Sequence, residues 1–496
     1  MTDRARTKSL AELGLTAQGG REARITGLSV DSRALRPGQL FAALPGSRAH
    51  GGAFIEEALR RGAGAVLTDR RGAEMAREAL ARADVPLVLT EDPRQALAWA
   101  AALWFGAQPE TVVAVTGTNG KTSVATFTRQ IWTALGLAAV NLGTTGVEGA
   151  FQAPLAHTTP EPVTLHRLLA EMAAAGVSHA AMEASSHGLA QRRLDGVRLS
   201  AAAFTSFSQD HLDYHAGFED YFAAKAGLFT RVLPDDGVAV INTIDPRGEE
   251  MADKARARGQ AVLVVGRGAD AHLRLTAQRF DATGQDLRFT WKGAPHMVRL
   301  GLIGGFQAEN ALVAAGLAIA TGAEPADVFA TLAGLETVRG RMQLAATRDN
   351  GAAVFVDYAH TPEAIATALR ALRPHVLGRL VAIIGAGGDR DASKREPMGR
   401  AAARHADLVF VTDDNPRTED PAAIRAAVMR GCPGAIEVAD RAEAILRGVD
   451  ALQPGDALLI AGKGHETGQI IGDDVYPFDD AEQASVAVAA LDGRVT

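Results

Sequence analysis

The sequence predicts an α/β protein of three domains with parallel sheets. Three observations predict it. The chain has 496 residues, and at roughly 150 residues per domain that length suits about three domains. Short apolar runs alternate with stretches of helical period, the pattern of parallel strands joined by crossover helices. The pattern also breaks twice. Gly106 to Glu110 carries Gly and Pro and suits a linker, and strand-like runs restart beyond Arg339. The expected domains are 1–108, 109–338 and 339–496.

In the first block, Ile25–Val30, Gln39–Leu44, Ala65–Thr68 and Val85–Leu89 read as strands, with helices over Gly52–Arg61 and Pro93–Gly106. This is a small N-terminal α/β domain. The second block opens with Thr111–Val115, an apolar run rich in β-branched residues, as buried parallel strands are. A glycine-rich turn and a helix over Thr122–Leu135 follow. Further strands are expected at Ala138–Leu142, His179–Met182, Ala201–Phe204, Val238–Ile241 and Ala261–Val265. Leu273–Arg299 looks antiparallel, and a helix over Gln307–Thr321 closes the block. The third block repeats the alternation with strands at Ala353–Val356, Leu380–Ile384, Leu408–Val411 and Ala457–Ile460. It reads as a Rossmann-like α/β domain.

Composition removes several classes of function. Apolar residues make up 47% and charged residues 22%, as in ordinary globular proteins. A formal net charge of -7 argues against a nucleic-acid backbone as the main partner. One cysteine, Cys432, allows no intrachain disulfide and suits a reducing compartment. No run is long and apolar enough for a signal peptide or a membrane span. A cytoplasmic location is therefore expected.

The strongest local signal is Val115-Thr116-Gly117-Thr118-Asn119-Gly120-Lys121-Thr122. It follows an apolar strand and opens a helix. Glycines let the backbone wrap phosphate oxygens, and the helix N-terminus favours the anion. Lys121 can neutralise charge on the outer phosphates, and the Thr122 hydroxyl can ligate Mg²⁺. Val115 stands where the general phosphate-loop pattern has glycine, so the loop is a variant. The central block is thus expected to be a P-loop-type ATPase domain. Alone, the loop leaves kinases, transport ATPases, GTPases and ligases open.

The strand His179–Met182 delivers Glu183 at its end, where ligands sit in open α/β sheets. A carboxylate beside a phosphate loop suits Mg²⁺, which prefers hard oxygens. The next strand leads into Asp210-His211-Leu212-Asp213-Tyr214-His215, with two acids and two histidines in six residues. Lys225, further on, reads by itself as an exposed helix lysine.

These residues, taken together, resemble the Mur ligases of peptidoglycan synthesis. Thr116–Thr122, Glu183–Gly188, Asp210–His215, Arg339-Gly340-Arg341 and Asp357-Tyr358-Ala359-His360-Thr361-Pro362 carry the resemblance. It spans nearly the whole chain, in the expected order. Within the family the chain most resembles the members that add meso-diaminopimelate to a UDP-linked muramoyl dipeptide. Asp31-Ser32-Arg33 looks like their uridine-nucleotide region and His157-Thr158-Thr159-Pro160 like their dipeptide-binding turn. Asp414-Asn415-Pro416-Arg417 looks like the motif for diaminopimelate selection. Gly462-Lys463-Gly464-His465-Glu466 looks like the loop completing that pocket.

The resemblance implies roles. Gly117, Thr118, Asn119, Gly120, Lys121, Thr122, Asn310 and Arg341 would bind ATP. Thr122 and Glu183 would hold one Mg²⁺, and His211 with a carbamylated Lys225 a second metal. Carbamylation requires a neutral amine first. Val30, Ser32, Thr158, Thr159, Ser185, Gln191 and Arg193 would bind the UDP-muramoyl dipeptide. Arg390, Asp414, Asn415, Pro416, Arg417, Gly462 and Glu466 would bind diaminopimelate. Its far carboxylate, absent from lysine, suits the paired donors of an arginine, Arg417 or Arg390, and Glu466 would receive the distal ammonium. His360 would contact ATP or orient a neighbour. Asp357 would position or deprotonate the attacking amine, or both residues simply form a hydrogen-bonded turn. Gln307 stands where Asn is usual, and Gln343 where an acid is common. A monomer is expected, closing its domains around ATP, the dipeptide and diaminopimelate. The competing readings are a lysine-adding relative, a folylpolyglutamate synthase-like ligase, and an ATPase module that needs no amino acid.

Overall fold

The computed structural model describes residues 6–46, 49–208 and 214–494. The chain divides into two compact units, Met1–Leu273 with Val313–Val328, and Arg274–Leu312 with Phe329–Thr496.

The first unit holds two main sheets. The N-terminal one has four parallel strands, in the order Leu28–Ser29, Leu40–Ala43, Ala65–Thr68 and Leu87–Leu89. The strand expected over Ile25–Val30 is split. Arg24–Ile25 pairs antiparallel with Lys8–Ser9 instead, and Thr26 turns its N–H to the Gly38 carbonyl. The helix expected from Gly52 begins as a 3₁₀ turn over Gly51–Phe54 and becomes α-helical at Ile55–Arg60. Asp92 caps the helix Pro93–Phe105 by accepting from the Gln95 N–H at 3.0 Å. That helix buries Leu97, Ala100, Ala101 and Trp104 in the same core as Leu40, Ala65 and Leu67.

The central sheet runs Ala261–Gly266, Val238–Asn242, Ala201–Phe204, Thr111–Thr116, His179–Glu183, Ala139–Gly143, all parallel. Gly146–Gly149, an unexpected strand, closes this edge antiparallel. Both faces are covered, which is why these strands are nearly all apolar. From Thr111–Thr116 the chain first builds one side of the sheet and then, at Ala201–Phe204, the other. A crevice is expected at the carboxyl ends of strands flanking such a reversal, and the phosphate loop leaves the sheet there.

The second unit begins with three strands, Leu273–Asp281, Gly284–Trp291 and Ala294–Leu300, the last two antiparallel as the sequence suggests. Its larger sheet has the order Gln343–Thr347, Ala353–Asp357, Ala457–Ala461, Leu380–Ile384, Leu408–Val411, Ile436–Glu437. All are parallel except the first. The loops after Asp357, Ile384, Val411 and Ala461 therefore leave from one end of this sheet. Beneath them lies an ion pair with no solvent exposure, Arg441 to Asp480, joined by two bonds of 2.7 Å. Arg441 also donates to the carbonyls of Asp413 and Ala461, at 3.3 and 3.1 Å, tying two of the loop bases together. Removing one partner of such a pair strands a buried charge, at a cost of about 3–5 kcal/mol.

Candidate active site

The phosphate loop is held open by two glycines with positive φ, Gly117 at 151° and Gly120 at 85°. The loop's far side is fastened to the neighbouring strand end. Thr205 Oγ1 donates to the Asn119 carbonyl at 2.5 Å, and the Thr118 N–H to the Ser206 carbonyl at 2.7 Å. Lys121 opens the helix Lys121–Ala134 and curls back, its Nζ donating to the Gly117 and Thr118 carbonyls at 2.9 Å each. A cation is thus poised over the loop, as neutralisation of phosphate charge requires.

Glu183 is buried, with 1% exposure. Its Oε1 accepts from the Thr122 hydroxyl at 3.0 Å and the Thr144 N–H at 2.8 Å. Gly143 lets it come this close, because a Cβ there would lie 2.0 Å from Oε1. Two hard oxygens side by side at the end of the loop's helix fit a small divalent cation such as Mg²⁺. Thr144 was missed in the sequence, although it too follows the end of a strand.

Lys225 is not the exposed lysine its local sequence suggests. It is 1% exposed, its Nζ donates to the Gly117 carbonyl at 2.7 Å, and it lies 4.4 Å from the centre of the Tyr221 ring. The hydrophobic spacing of its short helix, Phe218–Gly227, gave no warning, since the lysine is drawn inward by the loop carbonyl. Asp210, His211 and Asp213 lie outside the described residues. Of that cluster, Tyr214 accepts from Gln191 Nε2 at 3.0 Å, and His215 pairs with Asp220 at 3.2 Å.

A second group continues from Glu183. Thr159 Oγ1 donates to the Glu183 carbonyl at 2.9 Å and accepts from the Ser185 N–H at 3.1 Å. The Ser185 hydroxyl accepts from the Gly188 N–H at 3.0 Å and caps the short helix that follows. Thr158 meets Thr144 hydroxyl to hydroxyl at 3.1 Å. Arg193 donates to the Thr159 carbonyl at 2.6 Å and to Gln191 Oε1 at 2.8 Å. Gln191 and Arg193 also line a cavity of about 270 Å³ with Leu44, Pro45, Gly46, Arg94, Glu161 and Pro162. The predicted residues Val30 and Ser32 are not in this lining. They sit at the same carboxyl end of the N-terminal sheet as Leu44, since the strands before them are parallel. The Asp31 carboxylate is tied to the Arg33 guanidinium at 2.8 Å, which holds that carboxyl below its usual range.

In the second unit the strand-end loops converge. The Asp357 carboxylate accepts from the N–H groups of Met342 and Ala359 at 2.7 and 2.8 Å. Burial pushes its carboxyl up, against the pull of Arg341 and these two bonds. These bonds build a turn that stands beside Arg341, whose guanidinium carbon is 4.7 Å from the centre of the Tyr358 ring. His360 bonds the Tyr358 carbonyl through Nδ1 at 2.7 Å. A carbonyl only accepts, so Nδ1 carries a proton. Burial pulls its pKa down, against the Tyr358 bond that pushes it up. Both departures from the family pattern make local bonds: Gln343 Oε1 accepts from the Gly340 N–H at 2.8 Å, and Gln307 Oε1 from Asn310 Nδ2 at 3.0 Å.

Around the third loop, Arg417 adopts a positive φ of 52° and donates to the Gly388 carbonyl at 2.8 Å. Its own N–H bonds the Ile470 carbonyl at 3.1 Å, joining it to the hairpin Gly468–Ile471 and Asp474–Pro477. Asp389, with φ 53°, accepts from the Thr418 hydroxyl at 2.8 Å, so the loops bearing Arg390 and Arg417 are stitched together. Asp414 and Asn415 are buried, while Arg390 is exposed. Glu466, expected to face an ammonium, already accepts from Asn415 Nδ2 at 2.9 Å and lies 3.4 Å from Lys463 Nζ. Lys463 was not singled out in the sequence.

One substitution tests the loop directly. A Cβ at position 117 would sit 1.9 Å from Thr205 Oγ1 and 3.0 Å from the Ser206 backbone nitrogen, at a φ that side chains resist. Gly117→Ala is expected to weaken binding of a fluorescent ATP analogue by about tenfold or more, at least the ~1.4 kcal/mol such strain and crowding represent. Unchanged affinity would contradict this geometry.

Three family models match the chain: the Mur ligase family catalytic domain over residues 24–105, the Mur ligase middle domain over 115–318, and the Mur ligase glutamate ligase domain over 340–464. A UDP-N-acetylmuramoyl-L-alanyl-D-glutamate–2,6-diaminopimelate ligase of Bradyrhizobium diazoefficiens is 51% identical, over 94% of this chain and 95% of that one. A protein of the same name from Agrobacterium fabrum is 48% identical over 98% of this chain and 97% of its own. A solved structure bearing that name superposes with a TM-score of 0.73 at 33% identity, covering 98% of this chain and 99% of the other. A Mycobacterium tuberculosis folylpolyglutamate synthase complexed with ADP shares the fold at 22% identity and a TM-score of 0.61, over 75% of this chain and 92% of its own. The chain belongs to the Mur ligase family.

Proposed function

We propose that this protein is an ATP-dependent ligase that adds meso-2,6-diaminopimelate to UDP-N-acetylmuramoyl-L-alanyl-D-glutamate in peptidoglycan synthesis. Relatives named for that reaction match along nearly the full length of both chains. The observation that carries the amino-acid choice is the loop assembly around Arg417. An arginine held by Gly388 and the hairpin stands with Asp414 and Glu466, a set suited to a centre bearing both a carboxylate and an ammonium. The proposed division of labour follows residues 1–108 for the UDP moiety, 109–338 for ATP and 339–496 for the amino acid.

Two anions, the dipeptide carboxylate and the ATP γ-phosphoryl group, must first be brought together. Lys121 and Arg341 supply positive charge for this, and the loop N–H groups orient the phosphates. Mg²⁺ bound by Thr122 and Glu183 would neutralise further phosphate charge. The carboxylate oxygen displaces ADP from the γ-phosphorus, giving an acyl phosphate. The diaminopimelate amine then attacks the acyl carbon, phosphate leaves, and the amine gives up a proton as the amide forms. Arg193, Thr158, Thr159, Ser185 and Gln191 position the dipeptide, with Val30 and Ser32 toward the uridine end. Asn310 contacts the adenine side. His360, anchored through Nδ1, contacts ATP or orients a neighbour, and Asp357 acts by holding the Arg341 turn. Arg390, Arg417, Asn415, Pro416 and Gly462 shape the amino-acid pocket.

Lys225 is read as a carbamate that, with His211, would hold a second metal. Its burial supports this, because removal from water favours the neutral amine that adds CO₂ and releases a proton. No helix among the described residues is long and apolar enough to cross a membrane. We propose a cytoplasmic monomer.

Phosphate release measured with ATP, Mg²⁺ and the UDP-muramoyl dipeptide is expected to require meso-diaminopimelate and to ignore L-lysine. Release with lysine alone would overturn the pocket assignment, and release with neither amino acid the ligase reading. With carbon-labelled bicarbonate, a carbamate carbon signal is expected in the wild-type protein and not in Lys225→Arg. A signal of equal strength in both would refute carbamylation at Lys225.

A further inference from the structure

Two cations lie under the amino-acid pocket with no exposed side-chain surface, Arg441 and Lys463, and the mechanism above uses neither. Arg441 is fully committed to Asp480 and two backbone carbonyls, which makes it scaffolding. Lys463 differs. Its Nζ donates to Asn415 Oδ1 at 2.8 Å and stands 3.4 Å from Glu466 Oε2. Asn415 completes the triangle, donating from Nδ2 to the same Glu466 Oε2 at 2.9 Å. Asn415 Oδ1 also accepts the Ile470 N–H at 3.0 Å.

Only one orientation of the Asn415 amide satisfies these contacts. Flipped, its NH₂ group would face both the Lys463 ammonium and the Ile470 N–H. Glu466 Oε2 is therefore held from two sides, whereas its side chain stays 34% exposed and its Oε1 accepts no hydrogen bond from the described residues. Burial pulls the Lys463 ammonium below its ordinary range, and the carboxylates of Asp414 and Glu466 pull it back. An apolar side chain of similar volume would fill this space without the desolvation cost of a charge, so the ammonium has a use beyond packing.

We infer that Lys463 is a positioning residue for the amino-acid substrate: it locks the Asn415 amide and one oxygen of Glu466, so that the other oxygen faces an incoming ammonium group. The inference rests on the ligase reading above and extends it to a residue buried out of reach of the substrate.

The test is steady-state kinetics on the full chain, comparing wild type, Lys463→Met, Glu466→Gln and the double variant. Lys463→Met is expected to raise KM for meso-diaminopimelate about tenfold, the scale of one lost charged hydrogen bond. KM for ATP and for the UDP-muramoyl dipeptide should hold, and kcat at saturating amino acid should change by less than about threefold. In the Glu466→Gln background the same substitution should have little further effect, because Lys463 acts through that carboxylate. An unchanged KM for the amino acid, a parallel rise in all three KM values, or full additivity with Glu466→Gln would each overturn the inference. Should Lys463→Met lack a cooperative thermal transition, Lys463→Gln takes its place under the same criteria. Wild-type protein without amino-acid-dependent turnover would overturn the ligase reading itself, and this inference with it.

Discussion

A carboxylate removed from water has to be paired, and in this fold the buried carboxylate of Glu183 organises the candidate site around the phosphate loop. It sits at the end of a central parallel strand, with the Thr122 hydroxyl and the Thr144 N–H on one oxygen. Those two contacts join the first turn of the phosphate-loop helix to the turn after the neighbouring strand. The Glu183 carbonyl meanwhile holds Thr159, which orients the Ser185 helix start. The nucleotide loop, the proposed Mg²⁺ ligands and the proposed dipeptide contacts thus share one anchor. Moving that carboxylate would disturb all three.

The second unit solves a similar problem with the opposite sign. Its proposed amino-acid pocket gathers the carboxylates of Asp414 and Glu466, which repel each other and resist burial. Lys463 meets Glu466 from beneath, while Arg441 pairs with Asp480 and ties two loop bases together. The bonds of Asp357, Arg417 and Asp389 fix the strand-end loops against each other, so the proposed pocket rests on loop geometry rather than on a single side chain.

The parts of this arrangement that follow local rules were legible in the sequence. Buried parallel strands are apolar on both faces, so Ala65–Thr68, Ala201–Phe204 and Leu380–Ile384 were placed with the bounds the structure gives. The Gly117–Thr122 loop and Glu183 were found because a strand end next to a helix start is a local pattern. Residues whose burial depends on distant partners were not visible in the local pattern, even where the resemblance named them. Lys225 looks exposed on its helix, and only the Gly117 carbonyl draws it inside. Lys463 gains its meaning from Asn415, 48 positions away in the chain. Arg94 and Glu161 become neighbours of one cavity only when the helix Pro93–Phe105 packs against the helix Pro162–Ala174. The selection motif Asp414–Arg417 was identified by resemblance, since Asn-Pro by itself reads as a turn.

The central claim is that the protein activates a carboxylate by phosphorylating it. The direct measurement follows a heavy oxygen isotope placed in the terminal carboxylate of the UDP-muramoyl dipeptide. During turnover with ATP and meso-diaminopimelate, an acyl phosphate intermediate transfers one labelled oxygen to each phosphate released, and mass spectrometry of the phosphate would find it there. Unlabelled phosphate accompanying amide formation would contradict the account, because the carboxylate oxygen would then never have been bonded to phosphorus.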